Sequence, residues 1–190
     1  FHDGVPDDYI DQVWDVMRRA ERHTFQVLTK RPERMLDYFA KRLVGIAVDV
    51  LPNLWLGVSC EDQATADERI PLLLQTPAFV RLISAEPLLG PIQLVRGSGE
   101  YLDYLRGRWT EGSGEDAETF DTAHLDLVIV GGESGPGYRP MDISWAQSIA
   151  DQCRAAGVPL FVKQDSGARP GKQGRIPDEL WALKQFPVHA

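Results

Sequence analysis

The chain predicts an α/β protein with parallel strands: an open sheet, or part of a (β/α) barrel, with about five to six βα units. Three observations carry this. Apolar, strand-like runs alternate with stretches of helical periodicity. Early strand starts fall about 25 to 30 residues apart, the size of a βα unit. Five strand-like runs each stop at a short polar cluster: Thr29-Lys30-Arg31, Ser59-Cys60-Glu61-Asp62, Ser84-Ala85-Glu86, Gly131-Gly132-Glu133-Ser134 and Lys163-Gln164-Asp165-Ser166. Parallel strands point one way, so groups at their carboxyl ends converge on one crevice or mouth.

Taken in order, Asp7-Asp8 precede Ile10, Val13, Trp14 and Met17, the spacing of an amphipathic helix with acidic residues at its positive end, closing near Glu21. Thr24 to Leu28 reads as a buried strand, and Pro32 opens a second helix carrying Met35, Leu36 and Phe39. Asn53 to Val58 is a strand, Asp62 to Gln75 a helix with Ile70, Leu73 and Leu74 inward, and Val80 to Ile83 a strand. From Leu88 to Ala123 periodicity stops. This Gly/Ser-rich, acidic stretch reads as an aperiodic insertion, 92–123, with a mobile tip. Leu125 to Val130 restores the strand, Ser144 to Ala156 is a helix closed by Gly157, Pro159 to Val162 a last strand, and Pro177 to Gln185 a short terminal helix. Five strands fall short of the eight in about 250 residues that close a full barrel; one more before Phe1 would make six. The opening Phe1-His2-Asp3-Gly4 reads as a loop leaving such a strand.

With 190 residues, 43% apolar and 25% charged, one domain over 1–190 is expected. A net charge of −8 argues against nucleic-acid binding by bulk electrostatics and leaves room only for a local basic patch. No run approaches the roughly 18 apolar residues of a membrane span and no signal peptide is evident, so a cytoplasmic protein is expected. Cys60 and Cys153 form no CxxC, and His2, His23, His124 and His189 have no ligand spacing, so no metal site is expected from them.

The clusters supply the candidate chemistry. Glycines after a strand, as in Gly131-Gly132-Glu133-Ser134, let a ligand approach backbone N–H groups, or simply make a tight turn. Lys30-Arg31 are two cations at the start of a helix, where the macrodipole disfavours them; that mismatch favours an anionic ligand such as a nucleotide or nucleic-acid phosphate. Glu86 is a candidate base or acceptor for a ligand hydroxyl, against a structural ion pair with Lys163 or Arg31. Lys163 and Gln164 would bind an anion or position a carbonyl, or are simply a surface strand end. Glu61 is a weaker substrate contact, because Asp62 beside it suits a helix N-cap. Trp14, Trp55 and Trp145 read as packing, and Trp109 as exposed.

Five ordered strings, Phe25 to Pro32 (Phe-Gln-Val-Leu-Thr-Lys-Arg-Pro), Leu56-Gly57-Val58-Ser59 with Glu61-Asp62-Gln63, Ser84 to Pro91 (Ser-Ala-Glu-Pro-Leu-Leu-Gly-Pro), Val128 to Gly135 (Val-Ile-Val-Gly-Gly-Glu-Ser-Gly) and Phe161-Val162-Lys163-Gln164, resemble the phage gene-product thirty-seven/sixty-eight family. That resemblance covers nearly the whole chain outside 92–123. It implies a radical S-adenosylmethionine-like partial barrel whose mouth holds a [4Fe–4S] cluster and the cofactor. Members carry a three-cysteine motif in an N-terminal segment and this chain begins after it, so Cys60 and Cys153 are not carried over as cluster ligands. Gly131, Gly132 and Glu133 resemble the glycine-glycine-glutamate element that meets the methionine amino group; with Ser134 and Ser59 they are the candidate cofactor contacts. The expectation is the carboxyl-terminal part of a radical S-adenosylmethionine-like protein acting on a nucleotide or nucleic acid, with Glu86 and Lys163 catalytic and Lys30, Arg31, Glu61 and Gln164 on the substrate. The alternative is a non-catalytic anion-binding or protein-interaction module using the acidic excursion and Trp109.

Overall fold

A computed structural model describes residues 1–42, 50–97, 101–112 and 118–188. Its main sheet has five parallel strands, β1 (Phe25–Thr29), β2 (Leu54–Ser59), β3 (Val80–Ala85), β8 (Leu127–Gly131) and β9 (Leu160–Gln164), in the spatial order 1-2-3-8-9. Each strand therefore lies beside the one that precedes it in this series. The connections run through α2 (Pro32–Arg42), α3 (Gln63–Gln75) and α4 (Ile143–Ala156), with α1 (Asp7–Arg19) ahead of β1 and α5 (Asp178–Trp181) after β9. The strands and helices expected from periodicity are all present, to within a few residues at most ends, but the first strand is not the buried one expected: β1 lies at the sheet edge with Gln26 and Leu28 exposed.

The two faces of the sheet differ. Met35, Ile70 and Ile149 from the helices share one core with Leu56, Val58, Ile83, Val128 and Val162. The opposite face has its own smaller cluster of strand residues, Trp55, Val80, Leu82, Leu127 and Ile129, with Phe161 packed against it. Phe186 from the tail covers part of that face, its ring 6.3 Å from Trp55 and 5.1 Å from Phe161. Because side chains alternate along a strand, this face, whose cluster takes in no helix among the described residues, reads apolar at the strand starts. At the ends it turns polar or glycine: Ser59, Ser84, Gly131 and Lys163.

Three expectations are corrected. The stretch 92–123 is not aperiodic: β4 (Val95–Gly97), β5 (Tyr101–Asp103), β6 (Arg108–Glu111) and β7 (Glu118–Asp121) form an antiparallel sheet of their own. Strands of three or four residues are too short to reveal a period of two. Parts of the expected mobile tip, 98–100 and 113–117, lie outside the described residues, as does His189. Trp109 is half-buried and stacked on Phe120 at 4.7 Å. Val13 is exposed rather than inward, since Ile10 and Met17 take the buried side of α1. No helix among the described residues is long and apolar enough to cross a membrane.

Candidate functional site at the strand ends

The site is assembled by the parity of the strands and by one irregularity. Val130 pairs with Val162, but Gly131 pairs with Gln164, so Lys163 is an extra residue in β9. Such bulges re-aim a side chain, and here Lys163 is left exposed while Gln164 is buried. Lys163 Nζ donates to Glu86 Oε2 at 3.2 Å, and Ser84 Oγ donates to the same oxygen at 2.9 Å. Glu86 follows β3 and Lys163 lies on β9, with β8 between them. They meet because β8 ends in Gly131: a methyl group there would overlap Glu86 Oε1. That oxygen is buried and receives no hydrogen bond from the described residues.

A second pair spans β1 and β2. Lys30, just past β1, forms an ion pair with Glu61, whose other oxygen receives Arg69 Nη1 at 3.0 Å; the same Arg69 nitrogen donates to the Ser59 carbonyl at 2.6 Å. Burial opposes ionisation of Glu61. The Lys30 hydrogen bond and the charges of Lys30 and Arg69 outweigh it, so its carboxyl lies below the usual range. Asp62 caps α3: its side chain accepts the Thr65 N–H, and Thr65 Oγ1 accepts the N–H groups of Glu61 and Asp62, fixing where Glu61 points.

The third carboxylate, Glu133, is chelated. Arg139 donates to it through Nε at 2.9 Å, Nη2 at 2.7 Å and its backbone N–H at 2.7 Å. The Arg139 side-chain hydrogen bond, then its backbone one, bring the Glu133 carboxyl down to about 2. Arg139 also feels the Glu61 charge, so the ends of β2 and β8 lie within electrostatic reach. In all three pairs the acid lies deeper than the base: the side chains of Glu61, Glu86 and Glu133 are 12, 13 and 27% exposed, those of Lys30, Lys163 and Arg139 are 56, 53 and 60%.

Other predicted residues are placed differently. Gln164 is 5% exposed, and both ends of its amide are engaged, Nε2 donating to the Gly132 carbonyl and Oε1 accepting the Gly171 N–H. It braces the turn rather than facing a ligand. The Gly132 N–H donates to the Gln164 carbonyl, and a side chain at 132 would strike Ser166. Ser134 bridges to Gly167. Arg31 sits at the rim, 3.4 Å from Asp3. Sequence reasoning missed Arg69, on the second turn of α3, Arg139, in an irregular loop, and Arg175, which chelates the buried Asp165 through contacts of 2.8 and 2.9 Å. No local pattern marks any of the three.

The groups implied by the family resemblance can be set against these donors. Among the described residues no cluster of three or more His, Cys, Asp or Glu side chains could hold a metal ion. Cys60 and Cys153 are buried, and burial pushes each thiol up to about 12, against the thiolate a cluster needs. These residues do not fit a [4Fe–4S] cluster. Both Glu133 oxygens already accept from Arg139 and Gly132 is packed and paired, so the glycine-glycine-glutamate element as placed has no unshared carboxylate oxygen for a methionine amino group.

A five-stranded parallel sheet flanked by helices, with paired charges at its strand ends, makes this an α/β protein by class. Residues 1–179 match the family described as Protein of unknown function (DUF5131), and the chain belongs to that family. No curated protein and no solved structure matches it.

Proposed function

We propose that the strand ends of this domain, built like part of a radical S-adenosylmethionine-type barrel, bind a nucleotide or the phosphate of a nucleic acid. The observation that carries this reading is the layering of charge. Three cations of the mouth lie outermost, each held upright by a deeper carboxylate, so an incoming anion meets ammonium and guanidinium tips first although the chain is acidic overall. Lys30, Lys163 and Arg139 would contact phosphate, Arg31 would extend the patch, and Glu86 with Lys163 would be the reactive pair of an enzyme. The barrel part of the reading draws support from the sequential strand order and the face of the sheet that Phe186 partly covers. Filter binding of labelled DNA and RNA oligonucleotides and equilibrium dialysis of adenosine monophosphate test it. Affinity that falls with salt and drops several-fold in Lys30→Ala is expected; absence of any salt-dependent binding overturns it.

A second reading, an interaction module, is favoured by one feature: an apolar cavity of about 560 Å³ lined by Pro71, Leu74, Leu102, Tyr104 and Trp109, between α3 and the small sheet. On that reading Trp109→Ala abolishes partner association and leaves nucleotide binding intact.

A further inference from the structure

Glu86 is half-satisfied. Oε2 accepts from Ser84 and Lys163, while Oε1 lies over Gly131 with no donor among the described residues. A buried carboxylate oxygen left so has acceptor capacity to spare for an added donor. Its counter-ion is also loosely held: the Lys163 contact is 3.2 Å, and the ammonium stands in the open on the bulge of β9. An arriving anion competes for Lys163 directly. Once Lys163 turns to the anion, the Glu86 carboxylate is free to rotate off Gly131 and accept a hydrogen bond. The donor it accepts is a neutral one. An ammonium would place a second cation beside Lys163, whereas a hydroxyl adds no charge.

We propose that the strand-end site takes a phosphorylated ligand bearing a neutral hydroxyl near its phosphate, the phosphate drawing Lys163 away and Glu86 accepting the hydroxyl. Nucleotides and sugar phosphates share this chemistry. The inference rests on the reading of the strand ends as a phosphate site and adds a second, coupled point of recognition to it. Glu86 and Lys163 then act as one device: neither group is fully available until the ligand separates them.

Calorimetric titration of the full chain with inorganic phosphate and with ribose 5-phosphate distinguishes the two levels. In the wild type, ribose 5-phosphate is expected to bind about tenfold more tightly than phosphate, the worth of a hydrogen bond to a charged acceptor. In Glu86→Gln two opposite changes are expected: phosphate alone binds more tightly, because Lys163 has lost its counter-ion, and the advantage of the sugar shrinks. Lys163→Met is expected to lose phosphate affinity while keeping the native circular-dichroism spectrum, with a lowered thermal midpoint because Glu86 loses its cation. A sugar advantage absent from the wild type or intact in Glu86→Gln overturns the inference, as does phosphate affinity unmoved in Glu86→Gln; in those cases the phosphate reading stands. Failure of both ligands to bind the wild type and Glu86→Gln removes the phosphate reading itself.

Discussion

Gly131 is the residue on which the mouth depends, for want of a side chain. Gly131→Ala places a methyl group where Glu86 Oε1 sits, so Glu86 must leave Ser84 and Lys163. Overpacking of this kind costs about 1–3 kcal/mol, and chemical denaturation is expected to register that loss together with lost ligand binding; wild-type stability in the variant would show that Glu86 has room to move. Glu133 carries a different expectation. Its folded carboxyl lies near 2 against an unperturbed 4.5, so the native state favours the ionised form. The stabilisation it gives is complete above about 4.5 and lost as pH falls toward 2. Carbon-detected NMR should find its midpoint near 2 in the wild type and close to 4.5 in Arg139→Ala; an unmoved midpoint would mean that Arg139 is not the cause. At this scale the sequence was readable where strand parity applies. Lys30, Ser59, Glu86, Gly131 and Lys163 fall at strand ends, and alternation even separates Lys163 from Gln164, which points the other way and is spent on Gly132 and Gly171. Arg69 and Arg139 were not readable, since each reaches its carboxylate through the fold or an irregular loop rather than through periodicity.

Among the elements, α3 ties structure to site most directly. Its capping box joins Asp62 and Thr65 reciprocally, and Thr65 Oγ1 also accepts the Glu61 N–H, so the cap both starts the helix and orients the Glu61 carboxylate. Asp62→Ala removes the acceptor of the Thr65 N–H. It is expected to cost about 1 kcal/mol, measured by urea unfolding, and to weaken the Lys30–Glu61 pair; a neutral effect would mean that water replaces the cap. The long strands and helices were legible because apolar residues recur at spacings of two or of three and four over enough length. β4 to β7 were not, because a three-residue strand offers a single alternation, and Gly and Ser punctuate the sequence of that stretch. Trp109 shows the cost of that blindness: in a presumed loop it looks exposed, whereas across a β6–β7 pair it stacks on Phe120.

In the whole molecule, the sheet order 1-2-3-8-9 puts one crossover out of keeping with the others, for β3 reaches β8 through β4 to β7 where a long helix would be expected. Ile92, Leu94, Tyr104 and Leu105 from that connection are buried in the main core. The small sheet is therefore part of the helix layer's packing, not an ornament on it. This has a consequence in time as well as in space. The central β3–β8 pairing joins Leu82 to Leu127 across the longest gap of the sheet, and pairing distant segments is the slow part of folding. A run of antiparallel hairpins closes in about 1–10 μs each, so β4 to β7 can draw Val95 toward Asp121 before β8 docks, shortening the loop that must be searched. Gly107, at φ +65° in the turn between β5 and β6 and with no room for a side chain against the Thr122 carbonyl, would set the pace of that zipping. Stopped-flow refolding of Gly107→Ala should slow by nearly the full equilibrium loss, a φ-value close to one; a loss confined to the unfolding rate would place the hairpins after the barrier. If the hairpins close first, the connection that looks like an interruption of the α/β pattern is the clasp that lets the central strands find each other.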